Sequence, residues 1–137
     1  MSDTTMPPVL PGPRRIVTSH DSEGKAVVSI DEIIPPSTLD GFDGIRTGAF
    51  WASTDARWLK EMQFGSEDGA TRQVGNTANL GIFASNTINF RYTDIGPGVI
   101  APMHRTPTID YVILIKGEAI LITDDGTERH LKNPGDV

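Results

Sequence analysis

A histidine and an aspartate in the stretch "HRTPTIDYVILIKG", residues 104–117, are the residues best suited to chemistry. His104 stands six residues before Asp110. An imidazole beside a carboxylate can act as a general base, because the carboxylate fixes the tautomer and raises the basicity of the ring. The same two groups are also metal ligands. The pair therefore predicts a metal site, an acid–base or substrate contact, or a structural hydrogen bond, and the residues alone leave these alternatives open.

Further side chains are candidate substrate contacts around this pair. Side chains two apart on a strand share a face, so Thr106 is expected beside His104, where it could orient a substrate, although strand propensity explains it equally well. Arg105 is expected on the opposite face, in an ion pair at the surface or at a dimer seam. Arg91 and Tyr111 lie on predicted strands and can reach the mouth of a pocket, with an exterior position as the equal alternative. A tryptophan could add a stacking surface, although a core or interface position is its more common role. The predicted substrate contacts are Thr106, Arg91, Tyr111 and Trp51.

The elements that must position these residues are mostly strands. Residues 16–19 and 26–30 are β-branched runs joined by a turn with Gly24, which predicts a hairpin. Residues 53–64 predict one short helix, and from residue 87 onward β-branched runs alternate with Gly and Pro turns, which predicts a strand meander. Within it, the apolar run Val112–Ile115 predicts a strand buried on both faces, in the middle of a sandwich or at a dimer seam.

Composition narrows the class of protein. The 137 residues suit one domain, and we expect an extended arm over residues 1–13 and a single domain over residues 14–137. A formal net charge of −6 argues against nucleic acid or an anionic membrane as partner. The absence of cysteine excludes thiol catalysis and Cys-ligated metals. With no signal peptide or apolar membrane span, we expect a soluble cytoplasmic protein.

The spacing around the site resembles a family motif. Reading from Gly98, His104 follows after five residues and Thr106 after one more. Asp110 then follows after three residues and Gly117 after six. This register resembles the first motif of the cupin superfamily, in which a second histidine stands at the position of Thr106 and a glutamate at that of Asp110.

The resemblance extends along the chain. Residues 14–34 and 88–137 are similar to small single-domain cupins of bacteria and of fungal secondary metabolism, some of them cupin-domain oxidoreductases. It implies an all-β fold, the cupin double-stranded β-helix or jelly-roll barrel. Gly135 and Asp136 resemble the opening of the second cupin motif, most of which this chain lacks. We therefore expect an incomplete barrel, belonging to a fragment, a truncated relative or a chain that a partner subunit completes.

The resemblance also implies a ligand set. His104 and Asp110 are the expected ligands of a divalent transition metal such as Fe, Mn, Zn or Ni, with a third ligand absent from this chain. A threonine hydroxyl is a poor ligand for such metals, so the change at Thr106 makes metal-free chemistry the alternative.

These expectations combine into a function. We expect a tailoring enzyme that acts inside the barrel on an organic small molecule, aromatic or polyketide-like. It would work by metal-dependent oxidation, or by metal-free lyase or isomerase chemistry such as decarboxylation or dehydration, with His104 as base and Asp110 behind it. The alternative is a non-catalytic small-molecule-binding cupin, or a truncated cupin acting with a partner. We expect a homodimer formed through the N-terminal strands.

Overall fold

The computed structural model describes residues 10–39, 41–53, 68–71 and 86–137. The chain divides into two compact units, Met1–Ile100 (the first unit) and Ala101–Val137 (the second unit). The elements in chain order are β1 (Arg14–His20), β2 (Ala26–Ile33), β3 (Ser37–Leu39), β4 (Phe42–Ser53), a 3-10 turn (Gly69–Thr71), β5 (Ile88–Ile95), β6 (Ala119–Ile122) and β7 (Glu128–Leu131).

Every strand pairing in the described residues is antiparallel, in sheets of order β1-β2, β3-β4-β5 and β6-β7. The predicted all-β class is thereby confirmed. The short helix predicted over residues 53–64 lies outside the described residues except for Ser53, which ends β4. The expectation of one domain over residues 14–137 stays a prediction.

The predicted N-terminal hairpin is confirmed as β1 and β2. Its turn works because Gly24 adopts a φ of 78°, a left-handed conformation that glycine reaches without strain. The Asp21 carboxylate accepts hydrogen bonds of 2.9 Å from the backbone N–H groups of Glu23 and Lys25. Of the predicted arm, residues 1–9 lie outside the described residues, and the carbonyl of Pro13 accepts a hydrogen bond from the N–H of Ile34.

The long strand β4 lies between β3 and β5 and carries much of the buried surface of the first unit. Ile45 and Ala52 on β4 are buried, as is Ile34 just after β2. The register between β4 and β5 shifts between Ala49 and Trp51, which leaves Phe50 at a bulge. From there the ring of Phe50 stacks on Phe90 with centroids 4.6 Å apart.

A buried arginine ties three segments of the first unit together. The side chain of Arg15 on β1 is 4% exposed and contacts Glu32 on β2 at 2.5 Å and Asp68 at 2.6 Å. Its Nη1 also donates to the carbonyl of Phe50 at 3.1 Å, at the bulge of β4. Hydrogen bonding to Asp68 raises the pKa of Arg15 above its ordinary value, so the guanidinium stays charged.

The second unit contains the β6–β7 hairpin, as the predicted meander requires. Its turn is closed by hydrogen bonds from the Thr123 N–H to the Thr127 carbonyl and from the Gly126 N–H to the Thr123 carbonyl. A loop carboxylate caps each of the two turns in this unit: Asp125 accepts from the Thr127 N–H, and Asp136 accepts from the N–H groups of Lys132 and Asn133.

The predicted strand over Val112–Ile115 does not form, and most of the run is exposed within this chain; its burial at a dimer seam stays a prediction. Val112 is 70% exposed and Ile115 is 77% exposed, and the run belongs to no strand. Its backbone pairs only at Leu114, which accepts from the Gly135 N–H and donates to the Asp136 carbonyl within the described residues. An apolar run is buried only if neighbouring strands cover it. In the second unit, only the turn that contains Gly135 and Asp136 makes backbone hydrogen bonds with this run within the described residues.

No helix in the described part of the chain is long and apolar enough to cross a membrane.

Candidate functional site

The predicted site residues lie in both units. Trp51 is on β4 and Arg91 on β5, in the first unit, whereas the other four lie in the second unit on residues 104–111, which form no strand. Those four are His104, Thr106, Asp110 and Tyr111. The rule that residues two apart share a face of a strand therefore does not apply to His104 and Thr106 here.

The ring of His104 is exposed and is oriented by a backbone group. Its Nδ1 lies 2.7 Å from the carbonyl oxygen of Pro102. Because a carbonyl oxygen can only accept, Nδ1 carries the hydrogen, and Nε2 of the neutral ring carries a lone pair. Nε2 can therefore accept a proton or bind a cation without losing the hydrogen bond that orients the ring.

The carboxylate of Asp110 is held by threonines and not by His104. The hydroxyl of Thr108 donates to Oδ2 of Asp110 at 3.1 Å, and the hydroxyls of Thr106 and Thr108 are 2.7 Å apart. Each hydroxyl has one proton, so the shorter contacts form a chain in which Thr106 donates to Thr108 and Thr108 donates to Asp110. A hydrogen bond between His104 and Asp110, one of the alternatives that the residues alone left open, does not form within the described residues.

Arg105 and Tyr111, which also lie in the stretch 104–117, make few contacts. The guanidinium of Arg105 pairs with Asp124 at 2.9 Å, with both side chains largely exposed, which confirms the predicted surface ion pair. The ring of Tyr111 is 84% exposed and makes no hydrogen bond within the described residues. Tyr111 can reach a ligand only from the surface of the second unit.

The two candidates of the first unit differ in their contacts. Trp51 packs its indole ring against Gly69 in the 3-10 turn so closely that a Cβ on residue 69 would collide with the ring. The half-buried Arg91 donates from Nε to the hydroxyl of Thr47 at 3.2 Å. Burial lowers the pKa of Arg91 below its ordinary value. The contact of Trp51 is that of a packing residue, and Arg91 has the features of a binding residue.

The described residues offer few potential ligands for a metal ion. Within the described ranges, no three His, Asp or Glu side chains come together as a ligand set. His104 and Asp110 supply one nitrogen and one oxygen donor, which is fewer than the three protein ligands of a typical catalytic site. The described residues therefore do not form a complete metal site.

Three curated relatives identify the family. Phomopsin biosynthesis cluster protein D of Diaporthe leptostromiformis is 33% identical over 132 residues, covering 95% of this chain and 67% of that protein. The cupin-domain-containing oxidoreductase fogC of Aspergillus ruber is 29% identical over 124 residues, 90% of this chain and 57% of its own length. The cupin-domain-containing oxidoreductase srdD of Neurospora crassa is 49% identical over 47 residues, 34% of this chain and 24% of its own length.

The chain belongs to the cupin family. Two of these relatives are named as cupin-domain-containing oxidoreductases and one as a protein of a fungal biosynthesis cluster. These names agree with the resemblance of the motif around His104 to the first cupin motif. The chain spans about two thirds or less of the length of each of these relatives. No family model matches it.

Sequence reasoning missed several residues that shape the candidate sites. Pro102 contributes only a backbone carbonyl, which no residue pattern reveals. Thr108 could have been found, because a threonine two residues before an aspartate can donate to its carboxylate in a local turn. Nothing in the sequence indicated Thr47 on β4. Its contact with Arg91, which lies 44 positions later, depends on the register between β4 and β5.

Proposed function

We propose that this cupin is a tailoring enzyme that transfers a proton on an organic small molecule, with Nε2 of His104 as the general base. The observation that supports this is the 2.7 Å contact between Nδ1 of His104 and the Pro102 carbonyl, which leaves the lone pair of Nε2 on the exposed side of the ring. A base needs a fixed tautomer and an accessible lone pair, and His104 has both.

Dehydration of a β-hydroxy ketone illustrates the proposed step. Nε2 of His104 removes the proton on the carbon between the carbonyl and the hydroxyl-bearing carbon, and the C–H electrons form the new C=C bond. The C–O bond breaks, and the departing hydroxyl takes the proton back from the imidazolium as water. The products are an enone and water, and the neutral histidine is regenerated, so no outside oxidant is needed.

Asp110 has a positioning role in this proposal. Thr108 holds its Oδ2, so Oδ1 is the oxygen that can accept a hydrogen bond from a substrate hydroxyl. Thr106, at the other end of the hydroxyl chain, and the exposed ring of Tyr111 are the proposed neighbours of the substrate in the second unit. The role of Trp51 as a substrate contact and the homodimer formed through the N-terminal strands also remain proposals.

The test is turnover of a β-hydroxy ketone and a β-keto acid, each with an aromatic substituent, followed by mass spectrometry of the products. We expect His104→Ala to lower kcat/KM by about 10²- to 10⁴-fold, the usual contribution of a general base. The matched control is His20→Ala, which removes an exposed histidine at the end of β1 and is expected to leave kcat/KM unchanged. Turnover that survives in His104→Ala contradicts the role of the base, and ligand binding without turnover in the unsubstituted protein favours a non-catalytic cupin.

A second candidate is metal-dependent oxidation, favoured by the names of the oxidoreductase relatives. A histidine whose Nδ1–H is held by a backbone carbonyl is also the usual state of a metal-binding imidazole. His104 and Asp110 would supply two of the ligands. Metal analysis of the purified protein tests this, since about one Fe, Mn, Zn or Ni per chain that His104→Ala removes is the expected result for a metal enzyme.

A further inference from the structure

Arg91 on β5 is a half-buried cation whose charge is not balanced locally. Its Nε donates to Oγ1 of Thr47 at 3.2 Å, and that hydroxyl in turn donates to the Tyr92 carbonyl at 2.7 Å. Thr47 is only 2% exposed, so its hydroxyl is a fixed acceptor for Nε. This contact orients the guanidinium and leaves the N–H groups of both Nη atoms without a hydrogen bond in the described residues.

Three other arginines of the described chain are paired with acids, whereas Arg46 and Arg129 make no ion pair with an acid of the described residues. Arg14 contacts Asp31 at 2.6 Å, Arg15 contacts Asp68 at 2.6 Å and Arg105 contacts Asp124 at 2.9 Å. No carboxylate in the described ranges pairs with Arg91, although its guanidinium has lost part of its hydration. Taking a charge out of water without a partner is costly, and a protein tolerates it where a ligand supplies the missing charge.

The residue opposite Arg91 on the neighbouring strand does not compete for its guanidinium. Its cross-strand partner in the register is Ala49, whose methyl group cannot compete for the Nη atoms. No second basic side chain makes a contact with Thr47 or Arg91 among the described residues, so the site carries one positive charge. A single guanidinium carries one positive charge, which one carboxylate balances while accepting two parallel hydrogen bonds, whereas a phosphate dianion would leave a net negative charge.

We propose that the Nη edge of Arg91, with Thr47 holding its Nε, is a binding site for the carboxylate of a small organic acid. The site is built within the first unit from β4 and β5. It does not depend on the proton transfer proposed for His104, because it is a binding site whose occupancy can be measured without turnover.

The test measures binding to the 137-residue chain by calorimetry and by the NMR signal of the arginine Nε–H groups. The probes are benzoate, its neutral counterpart benzamide, and inorganic phosphate. Benzoate is expected to bind saturably and to shift one arginine Nε–H signal, which disappears in Arg91→Gln. We expect Arg91→Gln to weaken benzoate binding at least about tenfold, because hydrogen bonds to a charged group are lost. Arg91→Lys should give an intermediate loss, since an ammonium keeps the charge without the planar fork.

The matched control is Arg46→Gln, which removes an arginine of the same sheet that is adjacent to Thr47 along β4 and therefore on the other face. Its benzoate affinity is expected to equal that of the unsubstituted protein. If Arg91→Gln loses its native circular dichroism spectrum, the comparison of Arg91→Lys with Arg46→Gln decides. The proposal is overturned by absence of saturable benzoate binding, by equal binding of benzamide, by tighter binding of phosphate, or by unchanged affinity in both Arg91 variants.

Discussion

The two units of this chain stabilise their charged groups in different ways. In the first unit, Arg15 brings together Glu32 and Asp68, which are 17 and 53 positions away in the sequence. In the second unit, Asp125 and Asp136 accept hydrogen bonds from groups at most four positions away. The buried arginine of the first unit therefore depends on contacts between distant segments, whereas these two carboxylates of the second unit are each held within a single turn.

The apolar side chains show the same contrast. The first unit buries Ile34, Ile45 and Ala52 and stacks Phe50 on Phe90. In the second unit, by contrast, the side chains of the apolar run at residues 112–115 remain largely exposed. A substitution at Arg15 should therefore disturb several segments at once, while one at Asp125 or Asp136 should act on its own turn.

The largest expected effect is the loss of the Arg15 contacts. Arg15→Met should lower the free energy of unfolding by about 2–3 kcal/mol, less than the loss for a fully buried pair because both carboxylates keep partial contact with water. Urea unfolding followed by tryptophan fluorescence measures this change. The matched control is Arg14→Met, which removes the exposed pair with Asp31 and should have a much smaller effect. Equal losses in the two variants would contradict a special role for Arg15.

The next largest effect on stability is expected at Gly48, which side chains of the same unit approach closely. A Cβ on Gly48 would lie 2.8 Å from Cγ2 of Ile34 and would also collide with the ring of Tyr92. Gly48→Ala should therefore lower the free energy of unfolding by about 1–3 kcal/mol through overpacking. In the background of Tyr92→Leu the same substitution should cost less, because the ring is gone, and a double-mutant cycle measures the difference. Full additivity would show that the ring is not the obstacle.

The sequence was sufficient for features that depend on local chemistry. The hairpin turn at Gly24 and the turn at Gly126 followed from residues whose backbone preferences act within a few positions. The spacing from Gly98 to Gly117 led to the cupin family, which the relatives of the chain confirm. These patterns are local, and a single sequence contains them in full.

Features that depend on register or on coverage were not predictable. The partners of Arg15 and the contact of Arg91 with Thr47 need the pairing of strands that are far apart in the sequence. The exposure of Val112 depends on which strands cover it, and its residue type indicates only that covering it would be favourable. At the site, the local pattern indicated His104 and Asp110, but their hydrogen-bond partners depend on backbone geometry.

The smallest expected effect is the acid sensitivity of the turns in the second unit. Hydrogen bonds from the Thr123 hydroxyl lower the pKa of Asp125 below 3.8, and those from the backbone of Asn133 and Lys132 lower that of Asp136. A carboxyl whose pKa is lower in the folded state stabilises the fold above its unfolded pKa. This stabilisation is lost as the pH falls from the ordinary pKa of an aspartate through the lower pKa of the folded state.

Asp136→Asn should therefore flatten the pH dependence of the unfolding free energy in this acid range while leaving its dependence at neutral pH unchanged. Urea unfolding at a series of pH values measures it, and NMR titration of the carboxyl carbons gives the two midpoints directly. Because the groups are exposed and their partners are local, the same substitution should leave the contacts of Arg15 in the first unit intact. An acid sensitivity identical to that of the unsubstituted protein would contradict a role for Asp136 and would place the sensitivity in other carboxylates, such as Asp31, whose pKa the Arg14 guanidinium also lowers.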